Sequence, residues 1–310
     1  MKICIIALNK TDYAPQRIFE SGKKEGHNMH IATWNEITLD LGQGKIEFSA
    51  GKKRLDKFDA IIVRNCKTII WKGRGKITLH RETLMSLIVE FSRNHNIFFL
   101  NHRYLSGYQS QDKLSQQYFL FQNDLPGIPS SYFYDNNKRI PHPFPLVSKI
   151  ADGSLGKQVS KIENDRQLNQ FLTNRKRDGE FFLFQKFCPI DHDYRILVVG
   201  NKALGTMKRT ARSGEWRTNF SLGGATARAD HAKTLESLAL KAAKKMNLDY
   251  AGIDILEYKN KLHIIEINSF AQFKGFEIAF PDINVAAEII KLVEKKYIIV
   301  KRRTKHPKHA

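Results

Sequence analysis

The chain has 310 residues, 42% of them hydrophobic, enough for two domains or for one large α/β domain with an appended lobe. Its 51 Lys and Arg against 31 Asp and Glu give a formal charge of +20, which points to polyanionic partners such as nucleic acid, nucleotide or acidic peptide without choosing among them. No apolar run reaches the ~18 residues of a spanning helix, and the opening run Ile3 to Leu8 is broken by Asn9, Lys10 and Asp12. Cys4, Cys66 and Cys188 are scattered, with no CxxC pair and no His at zinc-ligand spacing. A cytoplasmic protein without signal peptide or membrane segment is expected.

The chain opens as strand, helix, strand: Lys2 to Leu8, Pro15 to Lys24, His30 to Thr33. A second such unit follows, with Ala60 to Val63 as a buried strand, Glu82 to Asn94 as an amphipathic helix and Ile97 to Leu100 as a strand. Residues 1–100 therefore read as one small α/β domain. Beyond Asn101 a helix is expected from Gln111 to Asn123, and a Pro-rich stretch leads into the strand Leu146 to Ile150. Strands then dominate: Phe181 to Phe187, Tyr194 to Val199, Ala203 to Lys208, Tyr250 to Glu257 and Leu262 to Ile267. Helices are expected at Asp165 to Thr173, Ala232 to Met246 and Ile283 to Lys295, making residues 101–298 an α+β region. Residues 299–310 are basic, contain Pro and lack an apolar stripe, and read as a disordered tail. A merely solvating end is the plainer reading of that tail, and RNA or ribosome contact the other.

The segment Tyr250 to Asn268 has the pattern of a hairpin around Lys259-Asn260-Lys261. A turn centred on Asn260 sets Asp254 opposite Glu266, with Asn268 on the same face and Ile253, Ile255, Ile265 and Ile267 on the other. Two opposed carboxylates repel, so they need a cation between them or raised pKa values. Oxygen ligands alone suit a hard ion such as Mg²⁺. Neutralisation by Lys or Arg from a neighbouring strand is the alternative.

Upstream, Lys149 lies in an otherwise apolar strand and is followed by a loop carrying Gly153, Ser154 and Gly156. Such a loop can fold its N–H groups over phosphates, although a plain turn fits the loop as well. It is not a Walker A loop, because Gln158 follows Gly156-Lys157. A phosphate is a reasonable partner for Lys149, and snorkelling at an edge strand is the competing reading. The exit of the apolar strand at Gln185, Lys186 and Phe187 offers backbone to an adenine edge. Between Lys208 and Asn219 four cations and an Asn precede a glycine pair, a composition suited to carboxylates and phosphates or to a solvated basic loop.

In this order, the pieces resemble the ATP-grasp superfamily and most closely its RimK-like α-L-glutamate ligases. The resemblance is carried by Gly51 to Ala60 with Arg64, by Gln111-Asp112-Lys113-Leu114, by Pro145 to Lys149 with its glycine loop, by Met207 to Asn219 with Gly223-Gly224, and by Ala251-Gly252-Ile253-Asp254 followed by Glu266-Ile267-Asn268. It implies an N-terminal pre-ATP-grasp α/β domain followed by a two-lobed ATP-grasp domain. It also implies that Asp254, Glu266 and Asn268 hold Mg²⁺ (or Mn²⁺), and that Lys113 and Lys149 bind phosphate beneath residues 153 to 156. Gln185, Lys186 and Phe187 would hold adenine. Arg209, Arg217 and Asn219 would meet phosphate and the acyl acceptor, with Asp193 and Arg195 shaping the cleft. Two departures stand out: Lys186 replaces the family's acid at the hinge, and Ser269 to Glu277 replaces the usual small residues and Pro-Gly after the metal Asn.

The implied reaction joins a carboxylate to an amine at the expense of ATP, through an acylphosphate, adding glutamate or a similar amino acid to a peptide, protein or small-molecule acceptor. A cross-linking peptide ligase is the nearest alternative. A ribosome- or RNA-binding protein with a vestigial ATP site is the more distant one. A homo-oligomer is compatible with either.

Overall fold

In the computed structural model the described residues are 1–66, 80–106, 112–133, 142–150, 159–175, 182–212, 214, 217–218, 224–229 and 232–305. The first unit contains β1 (Lys2–Ala7), α1 (Tyr13–Lys24), β2 (Asn28–Thr33), β3 (Ile37–Gly42), β4 (Lys45–Ala50), β5 (Lys53–Arg54), β6 (Ala60–Val63), α2 (His80–Asn94) and β7 (Phe98–Phe99). Strands β2, β1, β6 and β7 lie side by side in that order, all parallel. The unbroken apolar runs of β1 (from Ile3) and β6 follow from burial on both faces. Ile3 and Ile5 pack with Ala14 and Ile18 of α1, whereas Cys4 and Ile6 pack with Ile88 and Val89 of α2.

Strands β3, β4 and β5 form a separate antiparallel ladder in a stretch for which no element is expected from the sequence. Its exposed positions mix charged residues with the apolar pair Leu41 and Ile46, and only Phe48 and Ala50 of β4 are buried, so no clear alternation registers.

The second unit holds α3 (His102–Leu105), α4 (Lys113–Gln122), β8 (Ser130–Ser131), β9 (Leu146–Ile150), β10 (Val159–Ile162), α5 (Asp165–Arg175) and β11 (Phe182–Lys186). Helix α4 starts at Lys113 because Asp112 caps it, accepting from the Ser115 N–H at 2.9 Å. The antiparallel sheet runs β10-β9-β11-β8. Leu146, Ile150, Phe182 and Phe184 turn one face onto Leu168 and Leu172 of α5. By alternation Val147, Lys149, Leu183 and Gln185 face the other way.

The third unit holds β12 (His192–Val199), β13 (Lys202–Thr210), β14 (Ala225–Arg228), α6 (Lys233–Lys245), β15 (Tyr250–Tyr258), β16 (Lys261–Asn268), α7 (Lys274–Ala279) and α8 (Val285–Lys305). Its sheet runs β14-β13-β12-β15-β16, antiparallel throughout. Ile196, Val198, Ile253 and Ile255 bury one face with Ala239, Ala242 and Ala243 of α6. The other face is apolar at one end, where Leu197, Val199 and Tyr250 meet Phe276, Val285 and Ile289. Its other end is charged.

Helix α8 outruns the expected end at Lys295 and carries helix to Lys305, into the segment read as a tail from 299; residues 306–310 lie outside the described residues. Tyr297 anchors it by donating to Asp59 at 2.5 Å, and Val300 packs on the same apolar cluster as α1. No helix among the described residues is long and apolar enough to cross a membrane.

Candidate active site

The hairpin β15–β16 sets Asp254 opposite Glu266, by a different route from the expected one. Lys259 and Asn260 alone form the turn, both with positive φ (52° and 57°), the two-residue type whose twist matches the strands. Tyr258 consequently opposes Lys261 and Leu256 opposes His263. Continued unbroken, that register would set Asp254 against Ile265. A one-residue bulge after Ile264 restores Glu266. Ile264 thereby takes the buried core position expected for Ile265, which is left partly exposed.

Two buried glutamines of α4 steady this edge strand. Gln116 donates to and accepts from the Ile267 backbone at 2.9 and 3.0 Å, and Gln117 donates to the Ile265 carbonyl at 3.2 Å. Neither is a candidate from the sequence. Two adjacent amides on one helix gave no periodic or charge signal.

Asp254 is 4% exposed, and its repulsion from Glu266 is met by guanidinium groups. Arg195, opposite it on β12, forks onto it with Nε–Oδ1 and Nη2–Oδ2 both 2.7 Å. Arg209 of β13 forks onto Asp193 at 2.7 and 2.6 Å and reaches Asp254 Oδ2 at 3.0 Å. Burial pushes the Asp254 carboxyl upward, but the two arginines outweigh it and hold it below the usual carboxylate range. Burial likewise opposes the Arg209 charge, and Asp254 and Asp193 more than restore it. The Asp254 half of the acidic pair is thus met by arginines of neighbouring strands. Arg209 is buried among acids and is not presented as an open phosphate ligand.

Glu266 meets Lys113, at the start of α4, with Nζ–Oε1 at 3.6 Å. Lys149 feels both groups. Burial pulls its pKa down to about 8, Glu266 opposes that, and Lys113 adds to it. Strands of two different sheets and the first turn of α4 therefore bring the charges of Lys113, Lys149 and Glu266 within reach of one another.

On the Lys149 face of β11, Gln185 is buried and donates through Nε2 to Ser130 Oγ at 2.9 Å. Ser130 donates its own proton to the Ile128 carbonyl at 2.5 Å, which fixes the amide orientation and leaves Gln185 Oε1 a buried acceptor with no partner among the described residues. The Lys186 and Phe187 N–H groups are taken by the carbonyls of Pro129 and Pro145. An adenine amino group, a donor, could meet the Gln185 Oε1 acceptor, whereas those two N–H groups are already engaged and are not open to a ring nitrogen. The Lys186 ammonium lies over the Tyr258 ring and that of Lys161 over Phe187. Arg217 is partly buried; Gly153, Ser154, Gly156 and Asn219 lie outside the described residues.

Residues 113–293 match the RimK-like ATP-grasp domain, and residues 1–79 match the RimK PreATP-grasp domain. The chain belongs to the RimK-like ATP-grasp family. Among RimK-like relatives it is 30% identical over 306 residues to a probable alpha-L-glutamate ligase of Shewanella halifaxensis, covering 96% of this chain and 63% of that one. The chain thus spans less than two thirds of that relative. It is 28% identical over 305 residues to a probable alpha-L-glutamate ligase of Legionella pneumophila (strain Corby), covering 96% of each. The fold is that of the ATP-grasp ligase PsnB complexed with a minimal precursor variant, Mg and ADP (TM-score 0.70, 16% identity, 95% and 98% covered). D-alanine–D-alanine ligase from Bacillus anthracis, complexed with ATP, shares it too (TM-score 0.65, 13% identity, 98% and 99% covered).

Among the described residues no three His, Cys, Asp or Glu side chains gather as a metal cluster; the expected set has two acids and an amide. Asp254 Oδ2 already accepts two N–H groups and Oδ1 one, so Oδ1 keeps an acceptor position. With Glu266 and Asn268, an all-oxygen donor set remains that fits a hard divalent cation.

Proposed function

We propose that this RimK-like protein is an ATP-dependent, ADP-forming carboxylate–amine ligase that adds glutamate or a similar amino acid to a peptide, protein or small-molecule carboxylate. The observation that carries this reading is the gathering of Lys113, Lys149 and Glu266, with Gln185, whose Oε1 has no partner among the described residues, on the Lys149 face of β11 and the Asp254–Arg195–Arg209 network opposite Glu266. Gln185 Oε1 would accept from the adenine amino group. Lys113 and Lys149 would hold phosphate oxygens beneath the loop of Gly153, Ser154 and Gly156. Asp254, Glu266 and Asn268 would hold Mg²⁺ (or Mn²⁺), which when bound supplies positive charge to the phosphates.

Arg195 and Arg209 keep Asp254 ionised and fixed, and Asp193 in turn fixes Arg209. These are positioning roles. Arg217 and Asn219 are assigned the contacts with transferring phosphoryl and acceptor, where charge develops. The γ-phosphoryl passes to a carboxylate oxygen with loss of ADP, and an amine displaces phosphate from the resulting acylphosphate to form the amide.

A second reading within the same chemistry is a peptide-modifying ligase. It is supported by the stretch after Asn268, where α7 stands in place of a Pro-Gly continuation and is fixed to α1 through Glu277, which accepts from Tyr13 and Arg17. PsnB and the macrocyclase MdnC, bound with precursor peptide MdnA, share the fold. Incubating the chain with ATP, Mg²⁺ and arrayed pairs of amines and carboxylates is expected to release ADP and phosphate with one pair class. AMP and pyrophosphate as products would overturn the acylphosphate route, and the mass added to the acceptor separates the two readings.

A further inference from the structure

In the parallel sheet the chain passes from β1 to β2 on one side and returns to β6 on the other, so the strand order reverses between β1 and β6. Open α/β sheets hold their ligands in the crevice outside the carboxyl ends of such strands. Arg64 stands there, its N–H bonded to the Ile6 carbonyl at 2.9 Å. The crevice is filled by the protein itself. Arg64 Nη2 donates to the carbonyls of Ala271 (2.5 Å) and Phe270 (3.4 Å), and its guanidinium lies over the rings of Tyr250 and Phe273. Tyr250 donates its hydroxyl to the same Ala271 carbonyl at 2.7 Å.

Asn101, at the end of the neighbouring β7, holds the preceding carbonyl. With φ at 64°, it donates Nδ2 to Ser269 (3.1 Å) and Tyr250 (2.9 Å), while Oδ1 accepts from the N–H groups of Asp249 and Tyr250. Three consecutive carbonyls, 269 to 271, are thus gripped by side chains of or next to the N-terminal sheet. They begin one residue after Asn268.

Arg64 is 1% exposed, and its Nε and Nη1 have no hydrogen-bond partner among the described residues. A buried cation without an acid, with donors left dry, is a poor contributor to stability, and an apolar side chain of similar volume is commonly neutral or better. Its burial there points to a role other than stability. We infer that Arg64 is a positioning residue through which the N-terminal domain sets the 269–271 segment, and with it the Asn268 end of the active-site hairpin and the acceptor-side loop.

The inference uses the ligase reading for its functional consequence, but its primary test does not. In the substrate-free chain, Arg64→Met is expected to raise hydrogen exchange of the 269–273 amides by ~10-fold while leaving the thermal midpoint equal or higher. If ligase turnover is established, kcat should fall with KM for ATP within about twofold, because Lys113, Lys149 and Gln185 are untouched. Arg64→Lys, which retains the cation, is expected to fall between Met and the parent, and it is read the same way should the Met variant not fold. Unchanged exchange at 269–273, or a fall in midpoint accompanying a general rise in exchange, would overturn the positioning role. Failure to find any ligase substrate would leave the exchange result standing and count against the proposed function alone.

Discussion

Lys149 carries a conflict that can be measured. The side chain lies partly buried on the face of β9 away from Leu146 and Ile150, and burial brings its pKa down from an ordinary 10.5 to about 8. At pH 7 it is charged in both folded and unfolded states, so the cost of burying it is fully present. Between pH 8 and 10.5 the unfolded chain binds a proton that the folded chain does not, and stability contributed at this site rises with pH across that window. Lys149→Met should therefore be more stable than the parent at pH 7, and the gap should close by about pH 10. Denaturant midpoints at the two pH values check this. The same variant should lose at least ~10-fold in ATP affinity at pH 7, because the protonated amine is the form that meets a phosphate. A variant that binds ATP as the parent does would remove Lys149 from the site. Asp254 is the opposite case, since Arg195 and Arg209 favour its charge, and its electrostatics belong to the fold as much as to any ligand.

The hairpin shows how an element can be right in outcome and different in construction. Asp254 and Glu266 face each other as alternation requires, but the turn is one residue shorter and a bulge makes up the difference. Nothing in Ile264-Ile265 marks which of the two isoleucines enters the core, so the bulge is not readable from pattern. The arginine pairings were out of reach for a related reason. They depend on strand order in the sheet, and Arg209 reaches Asp254 past the intervening strand β12. The fully buried β1 and β6 were legible because an unbroken apolar run has few alternatives; β3 to β5 and the last turns of α8 were not, because each is held by a few long-range contacts.

Gly252, beside Asp254 on β15, tests the joint between hairpin and loop. A Cβ there would come within 2.7 Å of the Ala271 Cβ, in the segment whose carbonyl is held by Arg64 and Tyr250. The loop cannot yield without releasing those bonds. Gly252→Ala should cost about 1–3 kcal/mol of stability, the usual range for overpacking a filled site. Ala271→Gly in the same chain removes the obstructing atom and should restore most of it, a coupling visible in a double-mutant cycle of unfolding free energies. Additive losses would mean that the strain is relieved elsewhere.

At the scale of the whole molecule, two apolar clusters each run from the N-terminal sheet into the β12–β16 sheet, so the N-terminal unit and the Asp254-bearing sheet share their cores. The net charge of +20 is distributed differently. The buried cations Arg64 and Arg209 and the largely enclosed Arg195 and Lys149 are held by acids, carbonyls or rings, or have their charge disfavoured by burial. Exposed helix faces such as that of α6 carry lysines in water. A surface field of that sign attracts any polyanion, with an affinity that falls steeply as salt rises. Single-stranded RNA without sequence preference should bind at 50 mM salt and weaken at least ~10-fold by 200 mM. If this affinity resides on the surface, saturating MgATP should leave the RNA dissociation constant within about twofold, since on the proposed reading the nucleotide binds at Lys113 and Lys149 and adds charge only there. Displacement of RNA by MgATP would instead place the polyanion at those lysines. It would favour an anionic polymer as the acceptor over a surface contact separate from the chemistry.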